Sequence, residues 1–356
     1  MVEQKKPRET YIMTRGEYLN HGGSVTPATP PTLHPMKKNL PRNRLGFAQW
    51  LIDPANPLLS RVTVNRWWAE FMGKGIVTTE EDLGTQSAPP THPDLLDWLA
   101  VEFIERGWSM RHIHKLIVMS STYRQTSNTS ASQRLIDPSN TWITRTPRIR
   151  MSAEMIRDNA LEISGLLSTK MHGPPIYPPQ PSGIWRHVGR NAPKYIAATN
   201  EDRFRRGVYV VWRRGAPYVS FTNFDAPDRG SCVVRRPRTN TPLQALTLLN
   251  DQAYVEMAIA FAERIIEHNS ATTEERINFA YLTALSRNPQ PAEIRFLKPM
   301  IERQLIRFKN NPKTANELIK GIEGWKPSEQ TKIPELAAWF YITNILLNLD
   351  ETITKN

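Results

Sequence analysis

A single cysteine in 356 residues, Cys232, excludes an internal disulfide, a paired-cysteine haem attachment and a multi-cysteine zinc site. No run of about 18 consecutive apolar residues occurs, so no transmembrane helix is expected. The opening residues, MVEQKKPRETYIM, lack the apolar core of a signal peptide. Taken at face value, the chain is not itself exported. Glycine-rich phosphate and dinucleotide loops, a nucleophile elbow and a paired-histidine zinc motif are all missing. No period of roughly 20–50 residues recurs, which argues against a solenoid.

What is present is an ordinary globular composition with a basic bias. Apolar residues make up 39% and charged residues 22%, and the net charge is +12. That charge favours polyanions such as acidic polysaccharide, anionic lipid or nucleic acid, and it equally suits a basic but inert surface. Ten tryptophans divide between core and contact surfaces, and 29 prolines predict long loops between helices.

The pattern predicts a mainly α, multi-helix protein with one small antiparallel hairpin and long Pro-rich loops. Residues 1–42 read as an extended N-terminal arm with a short strand near 11–13. An N-terminal helical lobe follows over 43–167. Its helices break at Asp53-Pro54 and Asn56-Pro57, because proline pushes its predecessor out of the helical region. Gly73 is the expected C-terminal cap of one helix, and Thr91, Ser109 and Ser152 are expected N-terminal caps of others. Ile156, Ala160, Ile163 and Leu167 give the last of these helices one apolar face. Residues 168–206 form a Pro-rich connecting loop. The C-terminal lobe, 207–356, opens on the hairpin, with strands at 208–212 and 218–222. A charged loop and further helices complete it.

The stretch FTNFDAPDRGSCVVRRPRTNTPLQALTLLN, 221–250, organises this lobe. Thr241, Pro242 and Gln244 make a capping box ahead of an apolar run. Before it stand Asp225, Asp228, Cys232, Arg235 and Arg236. Carboxylates in such a loop can bind a sugar, a cation or a proton, and arginines suit carboxylate, sulfate or phosphate. The same charges can instead pair with one another and staple the loop. A second group is Glu154, Arg157 and Asp158. Glu154 and Arg157 are spaced to pair along a helix, and Glu154 and Asp158 to act as acid and base. A third is Asn65, Arg66 and Trp68, suited either to stacking a sugar or base or to core packing. His112 and His114 point to different helix faces and cannot chelate one ion, so no metal site is expected.

Several long stretches carry a family resemblance: NRWWAEFMGKGIV (65–77), PTHPDLLDWLAVEFIERGWSMRHIHKLIVMSSTYRQTS (90–127), RMSAEMIRDNALEISGLL (150–167), FDAPDRGSCVVRRPRTNTPLQALTLLND (224–251) and WFYITNILLNLDE (339–351). In this order they resemble the C-terminal domain of unknown function in large exported planctomycete proteins. Those proteins often also carry an N-terminal cytochrome-c-like domain. The resemblance implies a surface or periplasmic setting in organisms that degrade complex polysaccharides. It also implies haem only in an upstream domain of longer relatives, with none in this chain. Because 1–40 resemble the middle of longer members, the chain is expected to be a C-terminal portion or a shortened paralogue. No settled activity comes with the resemblance. The leading expectation is a binding module for a polyanionic or acidic polysaccharide, or for a cytochrome-c-like partner domain. The alternatives are a glycan-active hydrolase using Asp225 and Asp228, and a nucleic-acid binder that rests on charge alone.

Overall fold

Residues 8–187, 194–268, 270–320, 328 and 332–355 are described by the computed structural model of the chain. Residues 1–7 of the expected arm and 188–193 of the expected connecting loop lie outside them. So do 269, 321–327, 329–331 and 356 of the expected C-terminal lobe. Among the described residues the protein is mainly α, with 14 helices and two small antiparallel sheets. No helix there is long and apolar enough to cross a membrane. The chain divides into two units, Met1–Thr146 and Pro147–Asn356.

In the first unit the hairpin lies inside the arm. β1 (Thr10–Met13) pairs with β2 (His21–Val25), and the Tyr11 and His21 rings stack across it at 4.7 Å. Five helices follow: α1 (Arg44–Leu51), α2 (Leu59–Met72), α3 (Pro93–Glu105), α4 (Met110–Met119) and α5 (Ala131–Ile136). Gly73 ends α2 in the left-handed region at φ 78°, where a residue without Cβ is unstrained. Ser109 caps α4 through the His112 N–H. Thr91 does not cap α3: His92 takes that position, and the Thr91 N–H and hydroxyl both donate to the Ile76 carbonyl. Val64, Trp68, Leu99, Phe103, Ile113 and Ile117 pack α2, α3 and α4 into one core.

The second unit begins with β3 (Ile149–Arg150), then α6 (Ala153–Ser164), α7 (Val219–Asn223), α8 (Pro242–Asn250), α9 (Gln252–Glu267), α10 (Thr273–Leu285), α11 (Pro291–Asn310), α12 (Pro312–Lys320), α13 (Ile333–Leu347) and α14 (Asp350–Ile353). β4 (Thr354–Lys355) returns to pair with β3. α13 is apolar all round, as a helix buried on every side must be. It packs against α9, α11 and α12, and Thr343 donates from it to the Ala258 carbonyl on α9 at 2.6 Å. Leu336, Trp339, Ile342 and Leu346 are almost wholly buried. Each such side chain contributes about 1.5–3 kcal/mol.

One expectation is corrected here. The hairpin expected at 208–222 is absent. Residues 207–209 form a 3-10 turn, and 219–223 form the short helix α7. The extended backbone of 209–211 instead bridges to the Pro-rich loop: Ile176 N–H donates to Tyr209, and Val211 N–H to Ile176. The loop at 168–206 is bound within the second unit. Arg205 holds it by donating to the carbonyls of Lys170, His172 and Pro174, while its guanidinium lies 4.1 Å from the Tyr209 ring centroid. Both this loop and α6, expected in the first lobe, fall within the second unit.

Candidate functional site

Two groups that are far apart in sequence meet on α6. Its apolar residues Ile156, Ala160 and Ile163 face the core, which leaves Glu154 near the surface. Glu154 does not pair with Arg157. Its partner is Arg236, at 2.7 Å, from the charged loop. Burial, the largest influence, would raise the Glu154 carboxyl, but the Arg236 hydrogen bond, a backbone N–H and the Arg236 and Arg229 charges together leave it below its ordinary value. One turn on, Asp158 accepts from the Gly207 N–H at 2.6 Å, and Arg206 approaches it at 3.5 Å. Burial prevails over these partners and pushes the Asp158 carboxyl up. Arg157 turns inward and is 1% exposed. Ser152 stands at the N-terminal end of α6 without a side-chain capping bond.

The loop that carries Arg236 is stapled by Asp225. This residue has φ 61°, which aspartate tolerates better than most residues. Its Oδ2 accepts from Arg150 Nη2 at 2.6 Å and from the Thr239 N–H at 2.8 Å, and its Oδ1 accepts from the Thr239 hydroxyl at 2.9 Å. Burial opposes ionisation, but these donors together hold the carboxyl below its ordinary range. Asp228 accepts from the Gly230 N–H at 2.9 Å, within a local turn. Cys232 is a free, exposed thiol. Arg235 is exposed and has no hydrogen-bond or ion-pair partner among the described residues.

Around the loop, arginines lie on aromatic rings. The exposed Arg229 guanidinium is 4.6 Å from the Trp212 ring centroid, and Trp212 stacks in turn on Phe221. The Arg213 guanidinium is 5.1 Å from the Trp185 centroid, and Trp185 packs edge-on to Tyr195. These tryptophans escape a reading of the sequence because Trp212 sits in an apolar run that reads as a strand. The Trp-Arg-Arg string at 212–214 was the available signal.

Asn65, Arg66 and Trp68 do not join this face. Asn65 is fully buried, donating to the Val77 carbonyl at 3.0 Å and accepting from its N–H at 2.9 Å. Trp68 is core, and Arg66 is exposed on the same helix. No group of three or more His, Cys, Asp or Glu side chains that could hold a metal occurs among the described residues.

A family model matches residues 43–301: PSD1, described as a protein of unknown function (DUF1553). No curated protein and no solved structure matches the chain.

Proposed function

The chain belongs to the PSD1 family of proteins of unknown function, and from that premise we propose that it is a binding module for an acidic polysaccharide. The ligand lies on the arginine–aromatic face of the second unit. One observation carries this reading: Glu154 and Asp225 are engaged by arginines of the protein, while Arg229 and Arg235 stay exposed and Asp228 is the one exposed acid beside them. Glu154 is taken by Arg236 and Asp225 by Arg150 and Thr239, and Asp228 accepts only from the Gly230 N–H of its own turn. Trp212 holds the Arg229 guanidinium over its ring, and a guanidinium suits bidentate pairing with a carboxylate or sulfate. The surface, haem-associated setting implied by the resemblance belongs to the same proposal, with a cytochrome-c-like domain as a further partner.

Hydrolysis through Asp225 and Asp228 has less support. Asp225 is held ionised by three donors, so it does not offer a proton near neutral pH.

Affinity electrophoresis through gels containing polygalacturonate, with neutral dextran as control, tests the reading. The parent chain is expected to be retarded by polygalacturonate only, and less so as salt is raised. Arg229→Ala combined with Arg235→Ala should weaken retention at least about tenfold, the loss expected for charge-assisted hydrogen bonds. Equal retardation by dextran would overturn it. Tighter binding of duplex DNA than of polygalacturonate would move the reading to nucleic acid.

A further inference from the structure

The 20-residue helix α11 has one side in the core and a long side in water. Leu297, Ile301 and Phe308 point inward, buried where α11 packs on α13. At about 3.6 residues per turn, the opposite side carries Phe296, Pro299, Arg303 and Ile306 in one stripe. Phe296 is 66% exposed, Ile306 is 60% exposed, and Pro299 between them is exposed too. Phe296 and Ile306 stand about 15 Å apart along the axis. A single exposed apolar side chain is ordinary, but a stripe of them marks a contact surface. Pro299 sharpens the point. It offers no N–H to the Arg295 carbonyl, so it adds apolar surface at the helix's expense.

The charge around this stripe is almost all of one sign. Arg295, Arg303, Arg307 and Lys309 are exposed on α11, against the exposed acid Glu302. The helix's other acid, Glu293, is taken by Arg287, and Lys298, on the flank toward α10, pairs with Glu274. Arg307 donates to the Gln304 amide oxygen at 3.4 Å, and none of the four outer cations pairs with a carboxylate among the described residues. Apolar side chains set among unpaired cations suit the surface of an anionic bilayer. Phenylalanine and isoleucine can enter the acyl boundary while arginine stems lie along it and keep their guanidinium groups at the phosphates. A polysaccharide or a nucleic acid would use the cations but leave Pro299 and Ile306 in water.

We propose that the outer face of α11 docks the chain on a bilayer surface containing anionic lipid. Phe296, Pro299 and Ile306 enter the boundary between headgroups and acyl chains, and Arg295, Arg303, Arg307 and Lys309 meet the lipid phosphates. The contact is peripheral, because no helix among the described residues is long and apolar enough to cross a membrane. The face uses neither Arg229 nor Arg235, so it stands or falls separately from the polysaccharide reading.

The test is cosedimentation of the full chain with phosphatidylcholine vesicles, made with and without phosphatidylglycerol. The parent should sediment with the phosphatidylglycerol vesicles only, and should be released as salt is raised. Phe296→Ala combined with Ile306→Ala should lower the partition coefficient at least about tenfold. Arg303→Gln combined with Arg307→Gln should lower it more than about tenfold, at roughly fivefold for each cation near an anionic surface. All four positions are exposed and both replacement residues suit a helix, so the variants should melt with the parent. No sedimentation with either vesicle overturns the proposal, and so does equal sedimentation with both. Undiminished sedimentation of the Phe296/Ile306 variant overturns it too, because the contact would then be charge alone or another face. A parent that is dimeric without vesicles, and monomeric in that variant, would show that a second copy of the chain covers the face instead.

Discussion

Asp225 holds three donors with two oxygens, so it is the most sensitive residue of the charged loop. Asparagine keeps the tolerance for positive φ but can accept on one atom only. In Asp225→Asn the amide oxygen can keep both Arg150 and the Thr239 N–H, which share Oδ2, and the new NH2 faces the Thr239 hydroxyl, so what is lost is the negative charge beside Arg150. We expect a loss of about 2–3 kcal/mol in urea unfolding at pH 7, below the full cost of breaking a wholly buried pair because both side chains keep some exposure. The folded-state carboxyl is depressed, so its stabilisation is present above the unfolded value near about 4 and is lost as pH falls through the folded one. The gap between parent and variant should therefore close in acid. A variant as stable as the parent at pH 7 would show that the loop is not stapled there. Asp225, Glu154 and Arg236 were candidates in the sequence, and Arg150 was not. Their pairings were not legible: Arg150–Asp225 and Glu154–Arg236 span 75 and 82 residues, and spacing alone does not determine contacts at that range.

Elements defined by local chemistry were legible. The expected capping box at Thr241 is present: Gln244 reaches back to the Thr241 N–H at 3.4 Å. Gly73 ends its helix as expected, since a left-handed cap depends on a few adjacent residues. The 208–222 hairpin failed because short apolar runs do not separate strand from buried helix. There the tertiary partner decided: Ile176 took up the extended segment, and burial of Phe221 favoured α7. The same region gives a prediction for α6. Gly207 lies so close to it that an added Cβ would be 3.0 Å from Glu154 Cα and 3.1 Å from the Glu154 carbonyl oxygen. Neither backbone atom can rotate away, so Gly207→Ala should push the 205–209 segment off α6 and stretch the Gly207–Asp158 bond. Overpacking of this kind costs about 1–3 kcal/mol in thermal or chemical unfolding. An unchanged midpoint would mean that the segment is free to shift.

At the scale of the whole molecule, the chain divides at Thr146/Pro147, ahead of α6. Proline content marks where a chain is irregular, not where contacts stop, and the 168–206 loop is irregular yet bound to its own unit by Arg205 and Arg157. The division has an energetic consequence. β3 and β4 tie residues 149–150 to 354–355, and the Met151 N–H donates to the Ile353 carbonyl at 2.9 Å, so both ends of the second unit are fastened together. A fragment spanning 147–356 keeps its core cluster, and it should unfold in one cooperative transition. A fragment spanning 153–356 loses buried Ile149, worth about 1.5–3 kcal/mol, together with the Arg150 anchor of Asp225, worth about 2–3 kcal/mol. At about 2–4 °C per kcal/mol for a domain of this size, it should melt roughly 10 °C lower. Calorimetry of the two fragments checks this. A broad transition for the longer one would mean that the second unit depends on the first for its stability, and equal melting of the two would mean that β3 contributes nothing to it.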